Sequence, residues 1–141
     1  MTPIDQCRLI DIRTISSESG AIGVIEAEAD IPFAVKRVYY LFGTQPSSVR
    51  AGHAHRALRQ LLVASSGGFD VSLDDGHHKR VVRLDHPSKG LLLVPGVWRV
   101  VSNFTAGACL LCLASAHFDE ADYIREHADF LEAVRRNEFV A

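Results

Sequence analysis

The chain has 141 residues, 48% of them hydrophobic, which is enough for one core and too little for two, so we expect a single domain over 1–141. The net charge of −2 and the dispersed Lys and Arg residues form no basic patch of the kind that binds nucleic acid or an anionic membrane. The absence of a long apolar run or a secretory signal, and only three cysteines, favour a cytoplasmic protein without nucleic-acid or membrane partners.

Most of the chain has the pattern of β-strands. Between residues 7 and 115 the apolar residues form short β-branched runs separated by Gly, Pro, Asp and Ser, and no helical period persists. We predict an all-β barrel or sandwich over about 8–116. Its strands are predicted at 8–14, 23–28, 35–42, 60–64, 69–73, 80–84, 90–94, 98–103 and 109–114.

One turn is specified locally. The pair Asp75-Gly76 lies between two predicted strands and is typical of a two-residue turn with positive φ angles. It therefore predicts a hairpin that joins strands 69–73 and 80–84.

The pattern changes after Ala116. Asp119 can cap a helix whose first turn is acidic, and Ile124, Phe130, Leu131 and Val134 fall near one face. This predicts one amphipathic C-terminal helix over about 119–136. The helix could cover the barrel or pack on a second subunit.

The pair His53 and His55 is the strongest chemical signal. Residues two apart on an extended segment project from the same face, so both imidazoles should lie together. They could be an exposed loop pair, half of a metal site, or a general acid/base pair that exchanges protons near neutral pH.

The remaining positions disfavour a metal. The arrangement His-x-His at the start of a barrel strand resembles the first cupin motif, in which a later Glu and a third His complete the metal site. Here Arg59 and Gln60 stand where the Glu could fall, and Arg99 stands where the third His would lie. A guanidinium cannot bind a cation, so we expect no metal. We also expect no other cofactor.

Other reactive residues have simpler interpretations. Cys109 and Cys112 should face opposite sides of their strand, as should Tyr39 and Tyr40. Trp98 could fill the core or stack on a base. The isolated histidines are expected at the surface: His77, His78, His86, His117 and His127.

An ordered set of motifs resembles the sugar 3,4-ketoisomerase family. These cupin enzymes act in the dTDP-4-keto-6-deoxyglucose pathways that supply 3-amino sugars. The resemblance extends from about Ile10 to Phe130. Its motifs are 31–42 (IPFAVKRVYYLF), 50–55 (RAGHAH), 60–63 (QLLV), 73–76 (LDDG), 95–98 (PGVW) and 118–125 (FDEADYIR).

The resemblance implies a metal-free cupin barrel, also called a double-stranded β-helix or jelly roll, and a homodimer that exchanges N-terminal strands. It implies a histidine-dependent shift of the keto group from C4 to C3 of a dTDP-linked 4-keto-6-deoxy-hexose through an enediol. By position, His53 and His55 match the family's active-site histidines. We assign its active-site tyrosine to Tyr40.

We expect His55 to be the base, since the second histidine leads into the strand and should lie deeper. His53 would orient His55 or relay the proton, and Tyr40 would donate a hydrogen bond to the oxyanion.

The expected substrate-binding residues are Arg50, Gln60, Trp98 and Arg99. Arg50 matches the arginine ahead of the family's HAH and suits a diphosphate, while Trp98 would stack on thymine or the sugar.

Two positions depart from the family pattern. Family members place His where this chain has Arg99 and an acid where it has Arg59, and we expect both changes to add positive charge near the cleft. The sequence leaves open an epimerase-like or metal-dependent cupin enzyme, and a non-catalytic cupin that binds a sugar nucleotide.

Overall fold

A computed structural model describes residues 2–140, apart from the side chain of Ala51. None of the helices in this part is long and apolar enough to cross a membrane. The helices are α1 (Pro3–Gln6) and α2 (His127–Arg135), with a 3-10 turn at Glu120–Asp122. The strands are β1 (Arg8–Asp11), β2 (Arg13–Ser17), β3 (Gly20–Val24), β4 (Arg37–Leu41), β5 (Arg50–His55), β6 (Gln60–Ser66), β7 (Phe69–Asp74), β8 (Lys79–Leu84), β9 (Lys89–Leu93), β10 (Trp98–Ser102), β11 (Cys109–Ala114) and β12 (Tyr123–Ile124).

Two five-stranded antiparallel sheets make up the barrel. The first, sheet I, has the strand order β1-β9-β6-β11-β4, and the second, sheet II, has the order β12-β5-β10-β7-β8. Strands β2 and β3 form a separate hairpin. The prediction of an all-β fold with a C-terminal helix is confirmed.

The main core lies between the two sheets. Alternate residues of β7 and β11 are buried, so one face of each strand meets the core. Strand β6 is instead buried on both faces, because Ile31 and Phe33 cover the outer side of sheet I. The fold therefore holds an apolar layer on each side of β6.

The N-terminal strands differ from the prediction. The strand expected at 8–14 is two strands, because the chain leaves sheet I after Ile12, whose amide donates to the carbonyl of Ser88 at 2.8 Å. The strand expected at 23–28 begins and ends earlier, as β3. Strand β5 was absent from the nine predicted strands, since its sequence RAGHAH lacks an alternation of apolar residues.

The predicted hairpin is confirmed, but its turn is longer. Asp74 pairs with Lys79, so four residues rather than two connect β7 to β8. The Asp75 carboxylate accepts the amides of His77 and His78 at 2.9 and 2.7 Å and closes the loop.

The first half of the predicted C-terminal helix is wrong. Asp119 caps the 3-10 turn, and Ile124 lies in β12, which pairs with β5. This pairing uses the backbone groups that a helix would need. Helix α2 lies on the outer face of sheet II, where Phe130 and Ala133 are buried against it and Leu131 stays exposed. It therefore packs on the chain's own sheet and does not cover the barrel opening.

The packing beneath α2 leaves no room for a side chain at Gly52. A Cβ there would lie 2.3 Å from Nε1 of Trp98, so we expect Gly52→Ala to lower the free energy of unfolding by about 1–3 kcal/mol. Urea denaturation followed by fluorescence of Trp98, the only tryptophan, measures this. Gly23→Ala is the control, because its Cβ would meet only Ile12 at 3.4 Å. Equal losses in the two variants would contradict the prediction.

Candidate active site

A cavity of about 610 Å³ lies between the two sheets, within the size range of small-molecule sites. Three arginines and one histidine line it, and its lining within the described residues contains no carboxylate. It therefore suits an anionic ligand. The lining residues are Tyr39, Tyr40, Leu41, Val49, Arg50, His53, Gln60, Leu62, Arg99, Val101, Leu110 and Arg125.

The two histidines of β5 lie side by side, as predicted. Their ring centroids are 4.8 Å apart and the rings meet edge to face. His55 is the deeper residue, with 0% of its surface exposed, whereas His53 is half-buried. Only His53 lines the cavity. His55 was expected to be the base because it lies deeper, but at that depth it is no longer part of the cavity wall.

Arg50 lies on the same wall as His53, although the two residues are three apart on β5. The neighbouring strand explains this, since Arg99 pairs with His53 while Val101 pairs with Arg50, and the register shifts between them. Such a bulge turns one residue out of the alternation. Arg50 therefore faces the same cavity as His53, where it could contact a ligand.

His55 is held by the segment that follows the barrel. Its Nδ1 lies 2.9 Å from Oδ2 of Asp122, and its ring centroid lies 4.4 Å from that of Tyr123. Both contacts result from the pairing of β12 with β5, which sets Tyr123 opposite His55.

The surroundings of His55 keep it neutral. Burial is the main cause that lowers its pKa well below the ordinary value of 6.5, and the nearby charge of Arg99 and the neighbouring His53 add to the effect. At neutral pH the ring therefore carries one proton.

A polar network crosses the barrel interior. Arg99, only 4% exposed, donates through Nη1 to Oε1 of Gln60 and through Nε to the carbonyl of Val97 at 3.3 Å. The Gln60 amide donates to the hydroxyl of Tyr39 at 2.9 Å and to Sγ of Cys112 at 3.3 Å. Burial lowers the pKa of Arg99, but a guanidinium stays charged. Its Nη2 is buried and has no hydrogen-bond partner among the described residues.

Tyr39, and not Tyr40, presents its hydroxyl to the barrel interior. Tyr39 pairs with the buried Cys112, while Tyr40 pairs with Leu111 on the opposite face. Tyr40 is 64% exposed, its ring packs 5.6 Å from that of Phe42, and it reaches only the rim of the cavity. Burial raises the pKa of Tyr39, so its hydroxyl stays protonated.

Trp98 does not line the cavity. Its ring lies under α2, with its centroid 5.8 Å from that of Phe130, so the expected stacking on a ligand in this cavity is not possible. Arg59 also lies elsewhere, in the lining of a different cavity that includes Asp75. The expectation that Arg59 adds charge to the cleft is therefore wrong.

The other predicted binding residues do line the cavity. They are Arg50, Gln60 and Arg99.

Three residues of the C-terminal segment were missed because it was predicted to be helical. Asp122 and Tyr123 contact His55, and Arg125 lines the cavity. Arg125 lies over the Tyr123 ring at 4.3 Å and pairs with Glu120 at 2.6 and 2.9 Å. The three residues lie in the motif 118–125, but no apolar alternation marks their contacts. The pattern of β4 does not separate Tyr39 from Tyr40 either, because apolar residues lie on both faces of that strand.

The donor set near His53 does not suit a metal. Across the part of the chain that is described, no three His, Cys, Asp or Glu side chains are grouped to hold an ion. Gln60 and the cationic Arg99 occupy the positions beside the histidines. That the protein works without a metal stays a prediction.

The sequence and the fold agree with those of known proteins. The barrel is of the cupin type, and the family model for FdtA, described as WxcM-like, C-terminal, matches residues 5–135. The chain belongs to this family. It is 37% identical over 129 residues to TDP-4-oxo-6-deoxy-alpha-D-glucose-3,4-oxoisomerase from Aneurinibacillus thermoaerophilus, covering 92% of this chain and 93% of that protein.

Solved structures extend the similarity. One is a His-to-Asn mutant of the 3,4-ketoisomerase QdtA from Thermoanaerobacterium thermosaccharolyticum with TDP-4-keto-6-deoxyglucose, with a TM-score of 0.90, 35% identity, and coverage of 92% of this chain and 94% of that one. Another is the TDP-quinovose 3,4-ketoisomerase WlaRB from Campylobacter jejuni, with a TM-score of 0.86, 40% identity, and coverage of 89% and 97%.

The neutral state of His55 predicts a pH dependence of stability. Above pH 6.5 the residue is neutral in both the folded and unfolded chain, whereas below it only the unfolded chain takes up the proton. The free energy of unfolding should therefore fall as pH falls, by about 1.4 kcal/mol per pH unit from this residue. Urea denaturation of the wild type and His55→Gln should show this difference in slope.

The exposed His86 supplies the control. His86→Gln should keep the wild-type slope. If His55→Gln keeps it as well, His55 titrates in the folded protein and the prediction is wrong.

Proposed function

We propose that this chain is a sugar-nucleotide isomerase that moves the keto group of a dTDP-4-keto-6-deoxy-hexose from C4 to C3. The observation that carries the proposal is the cavity, in which three guanidinium groups surround a histidine and no carboxylate is among the described lining residues. The guanidinium groups can bind a diphosphate, and the histidine can remove a proton from the carbon next to a ketone. The similarity to TDP-sugar ketoisomerases supports the same assignment.

The arginines supply the recognition of the anion. Arg50 is exposed at the cavity wall and can form paired hydrogen bonds with phosphate oxygens. Arg125 is half-exposed and has Glu120 as its present partner. Arg99 lies deeper, and its Nη2, which has no hydrogen-bond partner among the described residues, can donate to a sugar oxygen.

His53 is the base in this proposal, because it is the histidine that lines the cavity. It removes the proton from C3, the electron pair of that bond forms the C3=C4 bond, and the carbonyl pair moves to O4. The proton on O3 passes to O4. The electron pair on O3 then forms the C3 carbonyl, and the C3=C4 pair takes the proton from His53 at C4. This regenerates His53 as the neutral base.

Tyr39 replaces Tyr40 as the hydrogen-bond donor to the oxyanion. Its hydroxyl accepts the amide proton of Gln60, so its own proton is available to donate. The orientation of Gln60 is fixed by Arg99, which can only donate and must face the amide oxygen. The network therefore aligns a donor with charge that develops at O4.

The proposal predicts the effect of His53→Asn. Turnover of dTDP-4-keto-6-deoxyglucose should fall by roughly 10²–10⁴-fold or more, while the Kd for TDP changes little, because the base acts in the transition state. Product NMR and calorimetry measure the two quantities. A chelator should leave wild-type turnover unchanged.

The controls separate the alternatives. Asn at the exposed His117 should keep wild-type turnover. Tight TDP binding by a wild type without turnover would favour a non-catalytic binding protein, and loss of turnover with a chelator would favour a metal-dependent cupin. Wild-type turnover in His53→Asn would refute the assignment of the base.

We also propose that the chain forms a homodimer through its N-terminal strands. The hairpin of β2 and β3 is exposed, and its facing residues Ile15 and Ile22 are 59% and 63% exposed. An isolated two-stranded hairpin is marginal in water, so a second copy that covers it would stabilise it. Exchange of these strands between the two copies would explain both the exposure of Ile15 and Ile22 and the separation of the hairpin from the two sheets.

The double variant Ile15→Asp, Ile22→Asp should therefore be monomeric where the wild type is dimeric, because charge at the apolar pair opposes its burial. Sedimentation velocity measures this. Val81→Asp changes an equally exposed residue, at 62%, and should stay dimeric. A monomeric wild type, or a dimeric double variant, would refute the proposed interface.

A further inference from the structure

Asp122 is held at three points against the end of β5. Its backbone carbonyl accepts the amide of Arg56 at 2.9 Å, and its Oδ1 accepts the amide of Ala57 at 2.7 Å. Its Oδ2 lies 2.9 Å from Nδ1 of His55. The amide of Ala57 thus fixes the carboxylate, the amide of Arg56 fixes the main chain of Asp122, and one carboxylate oxygen faces the histidine.

This arrangement selects one tautomer of His55. A carboxylate can only accept, so Nδ1 of His55 carries the proton. In a neutral imidazole Nε2 then holds a lone pair. Nε2 is buried and has no hydrogen-bond partner among the described residues, so no other contact in that part of the chain imposes the opposite tautomer.

We infer that Asp122 is a positioning residue for the isomerisation, which fixes His55 as the Nδ1–H tautomer and so presents an acceptor lone pair beside His53. The inference rests on the proposed function. Asp122 itself does not line the cavity, and it acts through the buried ring that packs against His53.

The charges around His55 explain why the tautomer matters. When His53 takes the substrate proton it becomes a cation whose ring centroid is 4.8 Å from that of His55. A neutral ring that holds a lone pair on Nε2 tolerates that nearby charge better than a ring that carries an N–H group there. The titratable and charged groups that face His55 are His53 from β5, Arg99 from β10, Arg37 from β4, and Asp122, Tyr123 and Arg125 from the C-terminal segment.

The substitution Asp122→Asn should invert the tautomer without altering the shape. The amide of Ala57 needs an acceptor, so the Asn oxygen stays on it and the NH₂ group faces Nδ1 of His55. Nδ1 must then accept, and the ring proton moves to Nε2. Asn at this position is therefore a sharper probe than Ala, which would leave His55 Nδ1 unpaired.

The test combines NMR of ¹⁵N-labelled histidine side chains with kinetics on dTDP-4-keto-6-deoxyglucose and calorimetry with TDP. His55 should show a protonated Nδ1 in the wild type and a protonated Nε2 in Asp122→Asn. The kcat should fall by roughly 10²–10⁴-fold, as when a catalytic histidine is held in the wrong tautomer, with the Kd for TDP within about threefold of wild type. Asp119→Asn, on the same segment, changes a carboxylate whose hydrogen bond is to the amide of Ala121, and it should match the wild type.

An unchanged tautomer or an unchanged kcat in Asp122→Asn would overturn the inference. Loss of kcat together with TDP binding and thermal stability would overturn it too, because it would give Asp122 a purely structural role. A wild type that does not convert the keto sugar would refute the proposed function instead, and the NMR comparison would still decide whether Asp122 sets the tautomer.

Discussion

The buried positive charge of Arg99 is the constraint on which the rest of the site depends. A guanidinium inside a barrel is costly, and within the described residues its partners are the neutral Gln60 and a backbone carbonyl. After burial, this charge is the largest cause that lowers the pKa of His55. It also opposes a metal cation at the histidines and fixes the amide of Gln60. An anionic or oxygen-rich ligand would balance it. The buried charge of Arg99 therefore favours the binding of such a ligand.

Access to the cavity, more than depth in the barrel, assigns the roles of the two histidines. His53 lines the cavity, while His55 lies behind it and is held by Asp122. In the proposed mechanism, His53 is therefore the group that touches the substrate and His55 the group that supports it. Strand β12 makes this division possible, because its pairing with β5 brings the carboxylate of Asp122 next to His55.

The sequence predicts what depends on local pattern. Short alternating runs fixed most strands of the barrel, and the spacing of His53 and His55 placed both on one face. The phase of β4 was left undetermined, so Tyr40 was assigned, whereas the hydroxyl that reaches the interior network is that of Tyr39. Asp122 could not be predicted, because the segment has helical composition and its contact with His55 spans 67 positions of sequence. Of the two roles left open for Trp98, the structure shows packing against Phe130 and not stacking in the cavity. The sequence could not decide between them, since nothing local shows that α2 covers that face.

The most direct test is to incubate the wild type with dTDP-4-keto-6-deoxyglucose in deuterated water and follow the product by NMR. The account predicts that the carbonyl carbon moves from C4 to C3 and that C5 keeps its hydrogen, because His53 acts only on the C3–C4 pair. A ketone that stays at C4 while deuterium enters C3 or C5 would contradict it and indicate an epimerase. Unchanged substrate would contradict it as well.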